Sequence, residues 1–394
     1  MSEAVVVSSV RTPAGRAPKG ALSTMRPDDL SAIALSGALD KVPGLGRDAV
    51  EDVILGCAQP EGEQGWNVAR WAALRAGLPV EVPAVTVNRL CASGLEAIAL
   101  AASRITAGGA RAIVAGGTET MSLLAIGGLK PSPNPWFVQH YPDAYLTMGL
   151  TAERVARKYG ISREEQYAFA LESHRRALAA QAAGRFDEEM VPVTVETARL
   201  GAKAGQLETE QTVVRADEGP RTDSTAEALA RLKPAFHVQG TVTAGNASAT
   251  SDGAAACVLL EEGLAWQLGA RPLARLASYA VTGCLPEEMG MGPATAVPKA
   301  LKMAGLRLQD IGLIELNEAF AAQALAVMRA LEMDPARVNV NGGGIALGHP
   351  LGATGAKLTA TLLAEMRRRQ VRYGIVTMCV GTGMGAAAIF ERLG

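Results

Sequence analysis

Short apolar runs alternate with amphipathic stretches along the first 120 residues. Residues 4–8 open with a continuous apolar run and predict a first strand, and residues 28–40 repeat apolar positions at helical spacing. Residues 52–56 predict a second strand and 67–76 a second helix. Residues 85–88 predict a short β-branched strand and 94–106 a helix of small residues. Residues 112–115 predict a buried strand ending at Gly116-Gly117. Alternation at this spacing predicts a mainly parallel sheet covered by helices.

The pattern breaks at Met121. Lys130-Pro131-Ser132-Pro133-Asn134-Pro135-Trp136 holds three prolines, which fix the chain and remove donors, so no regular structure is expected there. Amphipathic helices are expected over 151–159 and 162–184, with Arg and Glu on the polar positions, and residues 185–239 read as polar and irregular. The stretch 121–245 is therefore expected to be a loop domain laid over a site. Beyond it the rhythm resumes. A strand over 338–340, a helix over 354–367 and a strand over 375–378 repeat the element order of residues 85–115. Two duplicated α/β domains follow, one of residues 1–120 with 246–270 and one of 271–394.

The length of 394 residues suits more than one core, and 48% hydrophobic with 20% charged residues is ordinary for a globular chain. A net charge of −1 gives no support to nucleic acid or an anionic membrane as the main partner. No apolar run spans a bilayer, and Met1-Ser2-Glu3 leads into the first strand without a basic leader, so a cytoplasmic location is expected. The five cysteines (Cys57, Cys91, Cys257, Cys284 and Cys379) are odd in number and lack metal-ligand spacing. Neither a disulfide framework nor a metal site is expected on that pattern, leaving packing residues or reactive thiols.

Cys91 opens Cys91-Ala92-Ser93-Gly94, where a strand turns into a helix. Unpaired N–H groups and the helix dipole at that position are expected to lower the thiol pKa and to cradle an oxyanion; a buried packing cysteine is the plainer reading. His349, in Gly348-His349-Pro350, is embedded among glycines and suits a base or donor, or else a structural histidine. His140, His174 and His237 fall in the insertion and are expected at the surface. Cys379 ends an apolar strand before Val380-Gly381-Thr382-Gly383. Asn317, in Asn317-Glu318-Ala319-Phe320, either holds a water or caps a helix. The glycine stretches lack Walker spacing and the dinucleotide fingerprint.

Taken together, Cys91-Ala92-Ser93-Gly94, Asn317-Glu318-Ala319-Phe320, Gly348-His349-Pro350 and Cys379-Val380-Gly381-Thr382-Gly383 resemble the thiolase family along nearly the whole chain. The resemblance implies a five-layer αβαβα stack of two duplicated domains with an inserted loop domain, assembled as a homodimer or homotetramer. It implies thiolytic cleavage of a 3-ketoacyl-CoA, or its reversal as a Claisen condensation. Cys91 is then the acylated nucleophile, His349 its activator with Asn317 holding a water, and Cys379 the acid/base at the α-carbon. The N–H groups of Cys91 and Gly381 form an oxyanion site. Coenzyme A enters as substrate, along Met148, Ser248 and Arg221 (for which a solvated surface charge is the alternative), and no metal or permanent cofactor is implied. Acetoacetyl-specific relatives carry a histidine where this chain has Thr147, and residues 131–146 look like the degradative members, so broad chain length is expected. An acetoacetyl-CoA thiolase is the runner-up. A decarboxylating ketoacyl synthase has a histidine in place of Asn317, and a non-catalytic lipid-binding relative lacks one of Cys91, His349 or Cys379. Both are disfavoured.

Overall fold

A computed structural model describes residues 3–200 and 207–394. Met1, Ser2 and residues 201–206, the last within the segment expected to be irregular, lie outside the described residues. The strands are β1 (Ala4–Arg11), β2 (Gly15–Arg16), β3 (Asp52–Gly56), β4 (Ala84–Val87), β5 (Ala112–Thr120), β6 (Val193–Leu200), β7 (Leu207–Val214), β8 (Ser251–Glu261), β9 (Ala274–Gly283), β10 (Leu313–Leu316), β11 (Tyr373–Val380) and β12 (Met384–Arg392).

One half-sheet has the order β4-β3-β5-β8-β1 and the other β9-β12-β11-β10. Among the described residues they pair where Val5 and Val6 of β1 meet Arg275 and Ala274 of β9. Both halves share one plan. β3 runs parallel to β4 and β5, while β5, β8 and β1 follow antiparallel. β10 runs parallel to β11, while β11, β12 and β9 follow antiparallel. The sheet is thus mixed rather than mainly parallel, because β8 and β12 each return beside their predecessors.

Three apolar clusters define the layers. Helices Pro27–Asp40 and Val68–Arg75 cover the outer face of the first half-sheet. Helices Gly292–Ala304 and Ala321–Ala330 cover the outer face of the second. Between the half-sheets, helices Ser93–Thr106 and Leu351–Arg369 share one buried cluster with residues of β1, β5, β8, β9, β11 and β12. The stack is helix, sheet, paired helices, sheet, helix, as the resemblance implied. The central helices start side by side: a Cβ on Gly94 would lie 2.8 Å from the Gly352 carbonyl oxygen, and one on Gly355 would lie 2.4 Å from the Leu95 nitrogen.

Four local expectations are corrected. The strand expected to end at Gly116-Gly117 continues to Thr120, the glycines allowing close packing rather than a turn. A Cβ at Gly116 would stand 2.0 Å from the Ala255 oxygen, and one at Gly117 2.1 Å from the Gly352 oxygen. The strand expected over 338–340 is a single parallel bridge from Ile314 to Val338. Asn339 there takes φ +46° and uses its carboxamide for the edge of β10, accepting from Leu316 N–H at 2.8 Å and donating to Leu316 C=O at 2.8 Å. Pro135 does not exclude regular structure: it opens a helix, Pro135–His140, capped by Asn134. Residues 185–239 are more regular than expected, holding the antiparallel pair β6–β7 and helix Ala226–Ala230. Among the described residues no helix is long and apolar enough to cross a membrane.

Candidate active site

β4 delivers the chain to a tight elbow before the first central helix. The Asn88 carboxamide accepts from Leu90 N–H at 2.7 Å and donates to Ala58 C=O at 3.0 Å, which fixes the strand end. Leu90 takes φ +45°, a left-handed conformation that a leucine adopts at a cost of about 1–3 kcal/mol. Ser93 stabilises the turn, its hydroxyl accepting from Arg89 N–H at 2.8 Å and donating to Leu90 C=O at 2.6 Å. Cys91 projects from this elbow into a small apolar cluster with Ala58, Met121 and Leu351.

The expected lowering of the thiol pKa is reversed. Cys91 is buried, and desolvation pushes its thiol up to about 11, with the backbone N–H groups of Gly381 and of Cys91 itself offsetting only part of that rise. At rest Cys91 is therefore a thiol. The two N–H groups that oppose the rise are the pair that the resemblance implied for an oxyanion site.

His349 precedes the second central helix, Leu351–Arg369, two residues before the Leu351 that packs with Cys91. Its Nδ1 lies 2.6 Å from the Thr354 hydroxyl, which donates its own proton to Pro350 C=O at 2.8 Å. Nδ1 therefore carries the proton, and Nε2 presents a lone pair that accepts from the Asn317 Nδ2 at 3.2 Å. Burial first, then the charge of Lys357, lowers the imidazole pKa to about 3. His349 is thus neutral over the physiological range and able to take a proton at Nε2.

Asn317 follows β10, and its Oδ1 is buried without a hydrogen-bond partner. An orphaned acceptor beside His349 Nε2 suits a bound water or a substrate donor better than a helix cap. Behind it, Glu318 accepts from Ser173 at 2.6 Å, Asn339 at 2.7 Å and Ile345 N–H at 3.2 Å, tying the insertion to the glycines before His349. Cys379, at the end of β11, is fully buried and electrostatically coupled to Cys91; burial pushes its thiol far up. The structure thus joins His349 to Asn317, while the Gly381 N–H and Cys379 are linked to Cys91 through their electrostatic influence.

The three residues expected along coenzyme A are farther out. Met148 begins helix Met148–Lys158 and packs against the cluster containing Cys379 and Phe320. Ser248 is half-buried and donates its N–H to Ala319 C=O at 2.9 Å, next to the Ala247–Phe320 bridge. Arg221 lines a cavity of about 220 Å³ whose wall includes Ala247 and Ala249, the neighbours of Ser248, with Arg16 and His174. Its guanidinium pairs Asp223 at 2.9 Å and remains half-exposed. His174, expected at the surface, is buried there, and its Nδ1 accepts from Arg221 N–H at 3.3 Å. His140 and His237 are exposed.

Sequence reading missed Glu119. Its buried carboxylate accepts from Ala58 N–H and Gly352 N–H at 2.8 Å each and from Gln59 N–H at 3.3 Å, clamping the second central helix to the loop after β3. A charged residue at the end of an unbroken apolar strand was its only signal. Thr354 and Ser251 were also missed; short polar residues among glycines carry little signal of their own.

Comparisons with known proteins agree along the full chain. The family model described as "Thiolase, N-terminal domain" matches residues 4–263, and "Thiolase, C-terminal domain" matches residues 270–392. A 3-ketoacyl-CoA thiolase of Bacillus subtilis (strain 168) is 54% identical over 391 residues, covering 99% of this chain and 100% of the relative. One from Shigella boydii serotype 4 (strain Sb227) is 46% identical over 398 residues, with full coverage of both. The crystal structure of human mitochondrial 3-ketoacyl-CoA thiolase superposes with a TM-score of 0.89 at 39% identity, over 100% of this chain and 99% of that one. That of the Bacillus anthracis acetyl-CoA acetyltransferase has a TM-score of 0.89 at 42% identity, over 100% and 99%.

Proposed function

The chain belongs to the thiolase family, and on that premise we propose that it cleaves 3-ketoacyl-CoA with coenzyme A, giving acetyl-CoA and a shortened acyl-CoA through an acyl-enzyme on Cys91. The observation that carries this reading is the 3.2 Å contact of Asn317 Nδ2 with His349 Nε2 beside the orphaned Asn317 Oδ1, with the backbone N–H groups of Gly381 and Cys91 acting on the Cys91 thiol and that thiol acting on Cys379.

The thiol of Cys91 is held too high to ionise unaided, so it passes its proton to the neutral imidazole of His349 as it attacks the 3-keto carbon. The S–C bond forms and the bond between the α and β carbons breaks. The electron pair leaves as the enolate of acetyl-CoA, with His349 and a water on Asn317 opposite the enolate oxygen. Cys379 protonates the α-carbon, and its raised pKa keeps that proton available until the carbanion forms. In the second half, the thiol of coenzyme A loses its proton to the Cys379 thiolate and attacks the thioester; the S–C bond to Cys91 breaks, and the departing Cys91 thiolate takes its proton back from His349. The N–H groups of Cys91 and Gly381 then face the oxyanion of the tetrahedral intermediate. Every developing charge is met by a proton or an N–H donor, so the sequence of steps needs no metal or redox group.

Coenzyme A runs along the insertion, with Met148 and Ser248 beside the pantetheine and Arg221 at the adenine end. The insertion of residues 121–245 thus acts as the substrate-binding domain between the two duplicated ones. Broad chain length is the favoured range: both the missing histidine at Thr147 and the names of the curated relatives support it over acetoacetyl-CoA alone. A homodimer is favoured through β4. This edge strand pairs only β3 among the described residues, and exposed Val85, Trp66 and Trp71 belong to the same part of the fold.

The test is a chain-length series of 3-ketoacyl-CoA thioesters, with intact-mass detection of the acyl group on Cys91. Turnover across medium and long chains is expected. Turnover confined to acetoacetyl-CoA would overturn the substrate range, and acylation elsewhere than Cys91 would overturn the mechanism.

A further inference from the structure

We infer that Lys357 is a positioning residue for His349, its buried ammonium and the Ser251 hydroxyl fixing the two ends of the Gly348–His349 peptide. Lys357 lies two turns into the helix that follows His349, and its side chain runs back toward the helix start. Its Nζ donates to the Gly348 C=O at 3.3 Å. At the other end of the same peptide, His349 N–H donates to Ser251 Oγ at 3.1 Å, and Ser251 in turn donates to Ala249 C=O at 2.8 Å. Gly348 takes φ +81°, and a Cβ there would stand 2.6 Å from Ser251 Oγ, so the peptide has little latitude.

An ammonium is an expensive donor to bury, and a neutral group would serve the carbonyl as well. The surroundings show how the charge is held. Arg11 on β1 and the carboxylates of Glu189, Asp217 and Glu315 act on Lys357 from other elements. Arg11 itself donates bidentately to Asp217 at 2.7 and 2.9 Å and to Glu189 at 2.5 Å. On the other side, Lys357 faces His349, whose remaining polar contacts (Asn317, Thr354 and Ser251) are uncharged. A fixed cation there opposes a second proton on the imidazole and so keeps the base free. Burial and Arg11 bring Lys357 itself down to about 8, so this influence fades in mildly alkaline solution.

The inference rests on His349 acting as the base; wild-type turnover tests that reading, and the variant-to-wild-type ratios test this one. Lys357→Met is expected to lower kcat about 10- to 100-fold with KM for coenzyme A within about threefold. The acid limb of its pH–rate profile should move to higher pH, because an imidazole without the neighbouring cation protonates sooner. Lys357→Arg should keep the limb in place and recover most of kcat. Ser251→Ala should lower kcat and leave the limb unmoved, since it loosens the peptide without removing charge. Thermal melting checks folding, and if K357M does not fold, K357M/E315Q, which removes the cation together with a buried acidic side chain that acts on it, is read in the same way. The inference is overturned if K357M or the double variant keeps kcat within about threefold and an unmoved limb. It is equally overturned if K357R loses as much as K357M with no shift of the limb, or if S251A keeps full kcat.

Discussion

The imidazole Nδ1 of His349 lies 2.6 Å from the Thr354 hydroxyl one helical turn along, and this contact decides which ring nitrogen is free to act. Because Thr354 gives its proton to Pro350 C=O, the ring must donate at Nδ1 and accept at Nε2. Thr354→Val preserves volume and removes the acceptor. It is expected to lower kcat about 10- to 100-fold with little change in KM, as loss of a group that orients a reactive imidazole does. Steady-state thiolysis decides; an unchanged kcat would show that the glycine-bounded backbone alone sets the tautomer.

Alkylation of Cys91 by iodoacetamide reports its proton directly, because the thiolate is the nucleophile. With the thiol held up to about 11 and His349 down to about 3, the resting pair is thiol plus neutral imidazole across the neutral range. In His349→Gln no base remains, so the rate should climb about tenfold per pH unit toward that high pKa. Wild type should react faster at pH 7 and climb less steeply. Superimposable profiles would remove His349 from the activation of Cys91.

The same two shifts set a pH window for stability. His349 has a folded pKa below its unfolded value, so its contribution is present above about 6.5 and is lost as pH falls toward about 3. Cys91 has a folded pKa above its unfolded value of 9.0, so its contribution is present below that and is lost as pH rises through about 11. Urea midpoints should show a shallower acid decline in His349→Gln than in wild type, and a shallower alkaline decline in Cys91→Ala. Buried acids with raised pKa values, such as Glu119 and Glu318, tilt the wild-type curve the opposite way, so the difference between variant and wild type is the quantity to read. Equal slopes would mean that neither group titrates as its burial requires.

Elements with one strong period were legible in the sequence: helix Pro27–Asp40 and strand Asp52–Gly56 are within a residue of their expected bounds. The mixed direction of the half-sheets was not, because β8 joins its neighbours across more than 130 residues and no local pattern encodes that pairing. Asn339 shows another limit, since a side chain standing in for a strand edge looks like any polar residue after a valine. At the candidate site, the motifs singled out Cys91, His349, Asn317 and Cys379, but the protonation state of Cys91 was misjudged. A helix N-terminus is visible in a sequence, whereas the burial that outweighs it is a property of the packed core. Glu119 and Ser251 act on the site from other strands, which only the folded chain brings to it, and Lys357 acts from two turns along the following helix.

Gly117 links the core to the chemistry through distance alone. It lies in the middle of β5 where helix Leu351–Arg369 begins, and a Cβ there would stand 2.1 Å from the Gly352 carbonyl oxygen and 3.1 Å from that of Gly56. Both are backbone atoms, so nothing nearby can rotate away, and either the helix start or the strand must move. The helix start carries His349 at its entrance and Leu351 against Cys91, and Glu119 clamps it through Gly352 N–H. Gly117→Ala is therefore expected to cost about 1–3 kcal/mol of stability, as overpacking does, and to lower kcat by more than that loss of folded protein explains. Urea unfolding gives the first quantity, and kcat per alkylatable Cys91 gives the second. A variant that is destabilised yet fully active per folded site would show that the His349 loop tolerates movement of the helix, and that the close approach at Gly117 matters for packing alone.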